Sequence, residues 1–128
     1  MTIVVAYAET PPGRAAVCTA LGEGALRRED VILVAAVRDE TPPDPDDVVA
    51  AWPEEARSLT DAGAKLLAEA SELRDPSDAV VQVSQVHDAS MIVVGLRHRS
   101  PVGKALLGST AQRILLEATC PVLTVRPG

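Results

Sequence analysis

Residues 91–95 read Met-Ile-Val-Val-Gly, and thirteen residues past that glycine the chain reads Gly108-Ser109-Thr110 ahead of an apolar stripe at Ala111, Ile114, Leu115 and Ala118. A short apolar run closed by glycine is the pattern of a strand buried on both faces, as in a parallel sheet covered by helices. Gly-Ser-Thr before a stripe of helical period starts a helix. That order places unpaired backbone N–H groups beyond the carboxyl end of a strand, where open parallel sheets hold anions. Arg97, His98, Arg99, Ser100 and Lys104 stand in the loop between. Cations and hydroxyl donors thus gather where a phosphate chain would sit.

Outward from this stretch the same alternation repeats. Thr2 to Tyr7 and Val31 to Val37 are further β-branched runs that read as buried strands. Thr10-Pro11-Pro12 starts a helix whose Val17, Ala20, Leu21 and Gly24 face the sheet. Asp39 to Glu55 carries seven acids, no base and four prolines, so it reads as a solvated connection with one weak turn around Val48 to Trp52. A helix is expected from Pro53 to about Ala62. Between Gly63 and Arg74 strand and helix are both possible, and the order of elements favours a short strand. Asp75-Pro76-Ser77-Asp78 caps another helix, with Val80, Val83 and His87 on one face. Pro121 to Val125 reads as a last strand. Together these elements predict one α/β domain: a single open, mostly parallel, five-stranded sheet with helices on both faces.

Composition narrows the function. The chain has 128 residues, 47% of them hydrophobic, yet only Tyr7 and Trp52 are aromatic. No apolar run reaches the roughly 20 residues of a membrane helix, and no basic leader is present, so a cytoplasmic protein is expected. The net charge of −6 is uneven: Gly95 to Gly128 sums to +4, and the preceding 94 residues to −10. An acidic body without aromatic platforms around Arg97-His98-Arg99 argues against nucleic acid. The turn after the first strand lacks the Gly-x-Gly-x-x-Gly of dinucleotide folds. Gly103-Lys104 lacks the hydroxyl and first glycine of a P-loop. Cys18 and Cys120 suit neither a disulfide framework nor a metal cage, and no nucleophile, base and acid set stands in one motif.

The run from Met91 to His98, nine residues, then Gly108-Ser109, and the ending Thr119-Cys120-Pro121-Val122-Leu123-Thr124-Val125 resemble the universal stress protein family. The family's nucleotide signature is Gly, two residues, Gly, nine residues, then Gly with Ser or Thr. The resemblance implies an adenine nucleotide alpha hydrolase-like fold and ATP or AMP as ligand, with Mg only alongside nucleotide. Adenine would lie near Ala6, Tyr7, Ala8 and Val37. Phosphates would lie between Gly95 and Thr110, among Gly95, Arg97, His98, Arg99, Gly108, Ser109 and Thr110, and Val94 also belongs to the nucleotide site. Two positions depart from the pattern: His98 replaces the second glycine, and Ala8 stands where nucleotide-binding members carry Asp. Glu9, one residue on, is the candidate substitute for that acid. Loss of one such hydrogen bond costs about 0.5–1.5 kcal/mol, or about 3 kcal/mol with a charged partner. Affinity should fall roughly 3- to 100-fold. Weak binding by a sensor or regulator is expected, with slow hydrolysis at most. The resemblance also implies a homodimer through Val122, Leu123 and Val125 of the last strand. The alternative is a dimeric interaction module on the same fold, acting through an unidentified protein partner without nucleotide.

Overall fold

The computed structural model describes residues 1–97 and 107–127. Ile3, Val4 and Val5 are all inaccessible to solvent, so this segment has no solvated face and lies between two layers. It belongs to β1 (Thr2–Tyr7), the central strand of a five-stranded sheet. Next along the chain are α1 (Pro11–Arg27), β2 (Asp30–Ala35), α2 (Pro45–Ala51), α3 (Pro53–Asp61) and β3 (Leu66–Ala68). After them come α4 (Pro76–Val86), β4 (Met91–Gly95), α5 (Ser109–Glu117) and β5 (Val122–Val125). All strands run parallel in the order β3-β2-β1-β4-β5.

The two-residue period of a strand divides the core in two. Ile3, Val5, Val31, Leu33, Met91 and Val93 pack under α1 and α3. Val4, Ala6, Ile32, Val34, Ile92 and Val94 pack under α4 and α5. Each fully buried Val, Ile or Leu contributes about 1.5–3 kcal/mol, so the sheet must keep helices on both sides. Thr10 caps α1 by accepting from the Gly13 N–H at 3.2 Å, and Asp75 caps α4 by accepting from Ser77 N at 2.9 Å. The stripe that α1 lays on the sheet is made of small residues, Gly13, Ala16, Ala20 and Gly24 beside Val17 and Leu21.

Three segments differ from their sequence expectations. The acidic connection contains a true helix, α2, because Asp44 caps it at the Asp46 N–H, Pro45 begins it and Val48 is buried. The strand β2 ends at Ala35, where Ala36 and Val37 turn away toward the carboxyl edge, and Val37 is 40% exposed. On α5 only Ala111 and Ile114 are buried, whereas Leu115 is 41% exposed, because a helix over the outer part of the sheet presses on it with a narrow stripe. The ambiguous segment resolves as strand. Gly63, at φ +83, stops the chain after α3, and residues 66–68 then pair with the open edge of β2. Asp30 accepts from Lys65 N at 2.8 Å, and Val31 N donates to the Lys65 carbonyl at 2.8 Å.

Two glycines of α1 should respond oppositely to alanine. A Cβ on Gly13 would lie 1.9 Å from the Ala8 carbonyl oxygen, whereas one on Gly22 would meet nothing within 4 Å. Gly22→Ala should gain about 1 kcal/mol from helix propensity. Gly13→Ala should lose about 1–3 kcal/mol from overpacking against backbone. Urea denaturation of both variants checks this, and a stabilised Gly13→Ala would show that the turn has room.

Candidate functional site

The chain winds outward from β1 through β2 to β3 and then returns to the other side of β1 as β4. The reversal leaves a crevice beyond the carboxyl ends of β1 and β4, where open parallel sheets bind ligands. A cavity of about 510 Å³ occupies it, within the size range of small-molecule sites. Its position depends on a close backbone approach. A Cβ on Gly95 would come within 2.1 Å of the Pro12 carbonyl oxygen, so the start of α1 crosses the end of β4 only because that residue is glycine.

Of the residues expected from sequence to hold nucleotide, Ala6, Ala8, Val37, Val94, Gly95, Arg97, Gly108, Ser109 and Thr110 line this one cavity. Tyr7 does not: strand alternation turns it to the α1 face, opposite its neighbours Ala6 and Ala8. Glu9 does not replace the missing acid either. Its carboxylate turns the same way as Tyr7, accepts from the Tyr7 hydroxyl and from Arg14 Nε at 2.8 Å, and does not line the crevice. His98 and Arg99 lie outside the described residues. Thr10, Pro11, Pro12, Gly13, Ala36 and Ala111 also line the cavity, and the sequence reading does not place them in the site.

The two walls differ chemically. On the α1 side, Pro11 and Pro12 have no N–H, and the Gly13 N–H is taken by Thr10. On the α5 side, Gly108 is the N-cap with no side-chain cap and no acid stands in the first turn, so among the described residues no side chain accepts from the N–H groups that start the helix beside the cavity. Arg97 adds a cation there, since its Nε would lie 3.2 Å from a Cβ on Gly108. Among the described residues, the lining contains no carboxylate and no histidine, and no group of His, Cys, Asp or Glu is placed to hold a metal.

The model of the universal stress protein family matches residues 1–126. The chain belongs to that family. A universal stress protein of Mycolicibacterium smegmatis is 35% identical over 98% of this chain and 97% of its own length. Among solved structures, a universal stress protein from Archaeoglobus fulgidus superposes with a TM-score of 0.69, at 24% identity over 97% of this chain and 96% of its own. A universal stress protein from Archaeoglobus fulgidus in complex with dAMP gives 0.65, at 21% identity over 97% and 95%. The fold is thus the adenine nucleotide alpha hydrolase-like fold of universal stress proteins.

In this universal stress protein one carboxylate holds the α5 wall in place. Asp75 caps α4 and also accepts from Arg113 of α5 at 2.8 Å. The Ser77 hydroxyl, the Asp78 N–H and the Arg113 charge keep its carboxyl below the usual range. Neither thiol is activated: burial pushes both Cys18 and Cys120 up, and Glu55 adds to the rise at Cys18. No helix of the described residues is long and apolar enough to cross a membrane.

Tyr7 offers a test of this geometry. Burial, then the hydrogen bond to Glu9 and that carboxylate's charge, push its phenol up to about 12 from an ordinary 10.0. Between those values the folded state retains a proton that the unfolded chain gives up, so stability must fall as pH rises. The urea midpoint of wild type should therefore drop from pH 10 toward pH 12 by more than that of Tyr7→Phe. Parallel curves would place the phenol in solvent.

Proposed function

We propose that this chain is a cytoplasmic regulator that responds to an adenine nucleotide held in the crevice mainly by its phosphates. The observation that carries this reading is the N-terminus of α5, without a side-chain cap among the described residues and with the Arg97 guanidinium beside it, opening into a cavity at the winding reversal. Helix-start N–H groups with no side-chain partner among the described residues, a favourable helix dipole and a nearby cation suit a compact anion. The Ser109 and Thr110 hydroxyls add donors. Ala6, Ala8, Val37 and Val94 form the apolar remainder, against which a base would pack. The dAMP complex of a family member with this fold supports a nucleotide as the ligand class. Both cysteines are free thiols, in keeping with a reducing compartment.

The reading is of a binder and not a hydrolase. Among the described residues no carboxylate or histidine faces the cavity to activate water or anchor a cation. Mg would arrive with the phosphates and contribute little to affinity. With Ala8 in the first wall, affinity should be modest.

A second reading, a homodimeric interaction module, draws on β5. It lies at the sheet edge with Val122, Leu123 and Val125 only partly buried, and an open edge invites a second copy. Pairing through β5 is itself compatible with a nucleotide in the crevice, since no β5 residue lines that cavity; the module reading differs in acting without nucleotide.

Calorimetric titration with ATP and AMP should give binding in the micromolar range that EDTA leaves unchanged. Gly108→Val should weaken it at least tenfold without loss of fold, because the added atoms displace only the flexible Arg97 end. Absence of heat at millimolar nucleotide would overturn the nucleotide reading. Light scattering should find a dimer that Leu123→Asp converts to monomer, and a wild-type monomer at micromolar concentration would remove the edge-pairing reading.

A further inference from the structure

A second cavity, of about 360 Å³, lies on the opposite face of the turn after β1, between that turn, the start of α1 and α2. Tyr7 and Trp52, the chain's only aromatic residues, both line it. Val48 and Ala51 of α2 supply aliphatic surface beside them. Two carboxylates enter the same space, Glu9 from the β1 end and Asp47 from the first turn of α2. Arg14 is the one cation in the lining, and it is already engaged, with its Nη2 2.6 Å from Glu9 Oε1. The other Glu9 oxygen accepts from Tyr7. Asp47 makes no ion pair among the described residues.

The lining therefore carries one negative charge in excess. The chain around it deepens the field, since residues 39–55 contain seven acids and no base. The Tyr7 phenol is pushed up first by burial and then by its hydrogen bond to Glu9 and that carboxylate's charge, with Arg14 opposing and Glu40 adding the smallest share. Aromatic and aliphatic walls with an unpaired carboxylate at the rim repel anions and suit a cation with an apolar stem. Aromatic faces attract such a cation when it is partly desolvated, and a guanidinium matches a carboxylate through paired donors. Two carboxylates, one of them committed to Arg14, are too few for a metal ion.

We propose that this cavity binds a small organic cation of the alkylguanidinium class, with the guanidinium at Asp47 and the alkyl stem against Trp52 and Val48. The site is separate from the crevice and does not depend on the nucleotide reading.

Trp52 is the only tryptophan, so intrinsic fluorescence reports this cavity alone. Butylguanidinium is the probe, and butylurea is its uncharged isostere. Butylguanidinium should change the emission saturably, and butylurea should bind about tenfold more weakly, having lost the ionic and cation–π contributions. Asp47→Asn, at an exposed position, should weaken butylguanidinium about threefold. Asp88→Asn removes one charge at the other end of the sheet, beyond the C-terminus of α4, and should leave binding unchanged. Far-ultraviolet dichroism verifies that both variants fold. The proposal is overturned by no saturable response to butylguanidinium, by an equal response to butylurea, or by equal effects of the two substitutions.

Discussion

The contact between the Pro12 carbonyl and Gly95 sets the geometry of everything at the carboxyl edge of the sheet. It brings the first turn of α1 over the end of β4, where any side chain would hold the two apart. The crevice exists because that crossing closes one of its sides while α5 closes the other. Hydrophobic burial holds the layers together, but it is non-directional and would tolerate a shifted helix. The backbone contact fixes the register that burial leaves free.

The two walls then divide the chemistry between them. The proline pair removes donors from the α1 side, and the Thr10 cap uses the next one. The α5 side starts on a glycine, which has no side chain to cap it, and among the described residues none other does so. Asp75 links this arrangement to the body of the protein, capping one helix with the same carboxylate that anchors the other. Turning the Tyr7, Glu9 and Arg14 cluster to the opposite face leaves the crevice with a cation and no carboxylate among the described residues. The acidic surface is instead gathered around α2.

Most of the fold was legible because β1, β2 and β4 are uninterrupted aliphatic runs and because Thr10 and Asp75 mark helix starts plainly. The strand β3 was ambiguous for a physical reason. Leu66 to Ala68 are good helix formers, and only the unfilled hydrogen bonds at the edge of β2 make them extended. The helix α2 was hidden by prolines and acids that read as a loop, although Asp44 and Pro45 are themselves a cap and a first turn. In the crevice, Gly95 and Gly108-Ser109-Thr110 could be found because glycine and hydroxyl spacing is a local signal. Thr10 to Gly13 read only as a helix start, because capping alone already accounts for them. The orientation of Tyr7 was available from parity, since strand neighbours cannot share a face.

The small residues on the inner stripe of α1 have a mechanical consequence. A helix resting on Gly, Ala and Gly sits close to the sheet, and a Cβ on Gly24 would lie 2.7 Å from Val31 Cγ2 and 2.8 Å from Leu59 Cδ1. Gly24 lies twelve residues from Pro12, about 18 Å along the axis at 1.5 Å per residue. A straight helix is stiff over that length, so it acts as a lever with its long arm in the core. Added bulk at the far end tips the proline end against or away from β4. The aperture of the crevice is therefore set partly by packing three helical turns away, at residues that no ligand in it would touch.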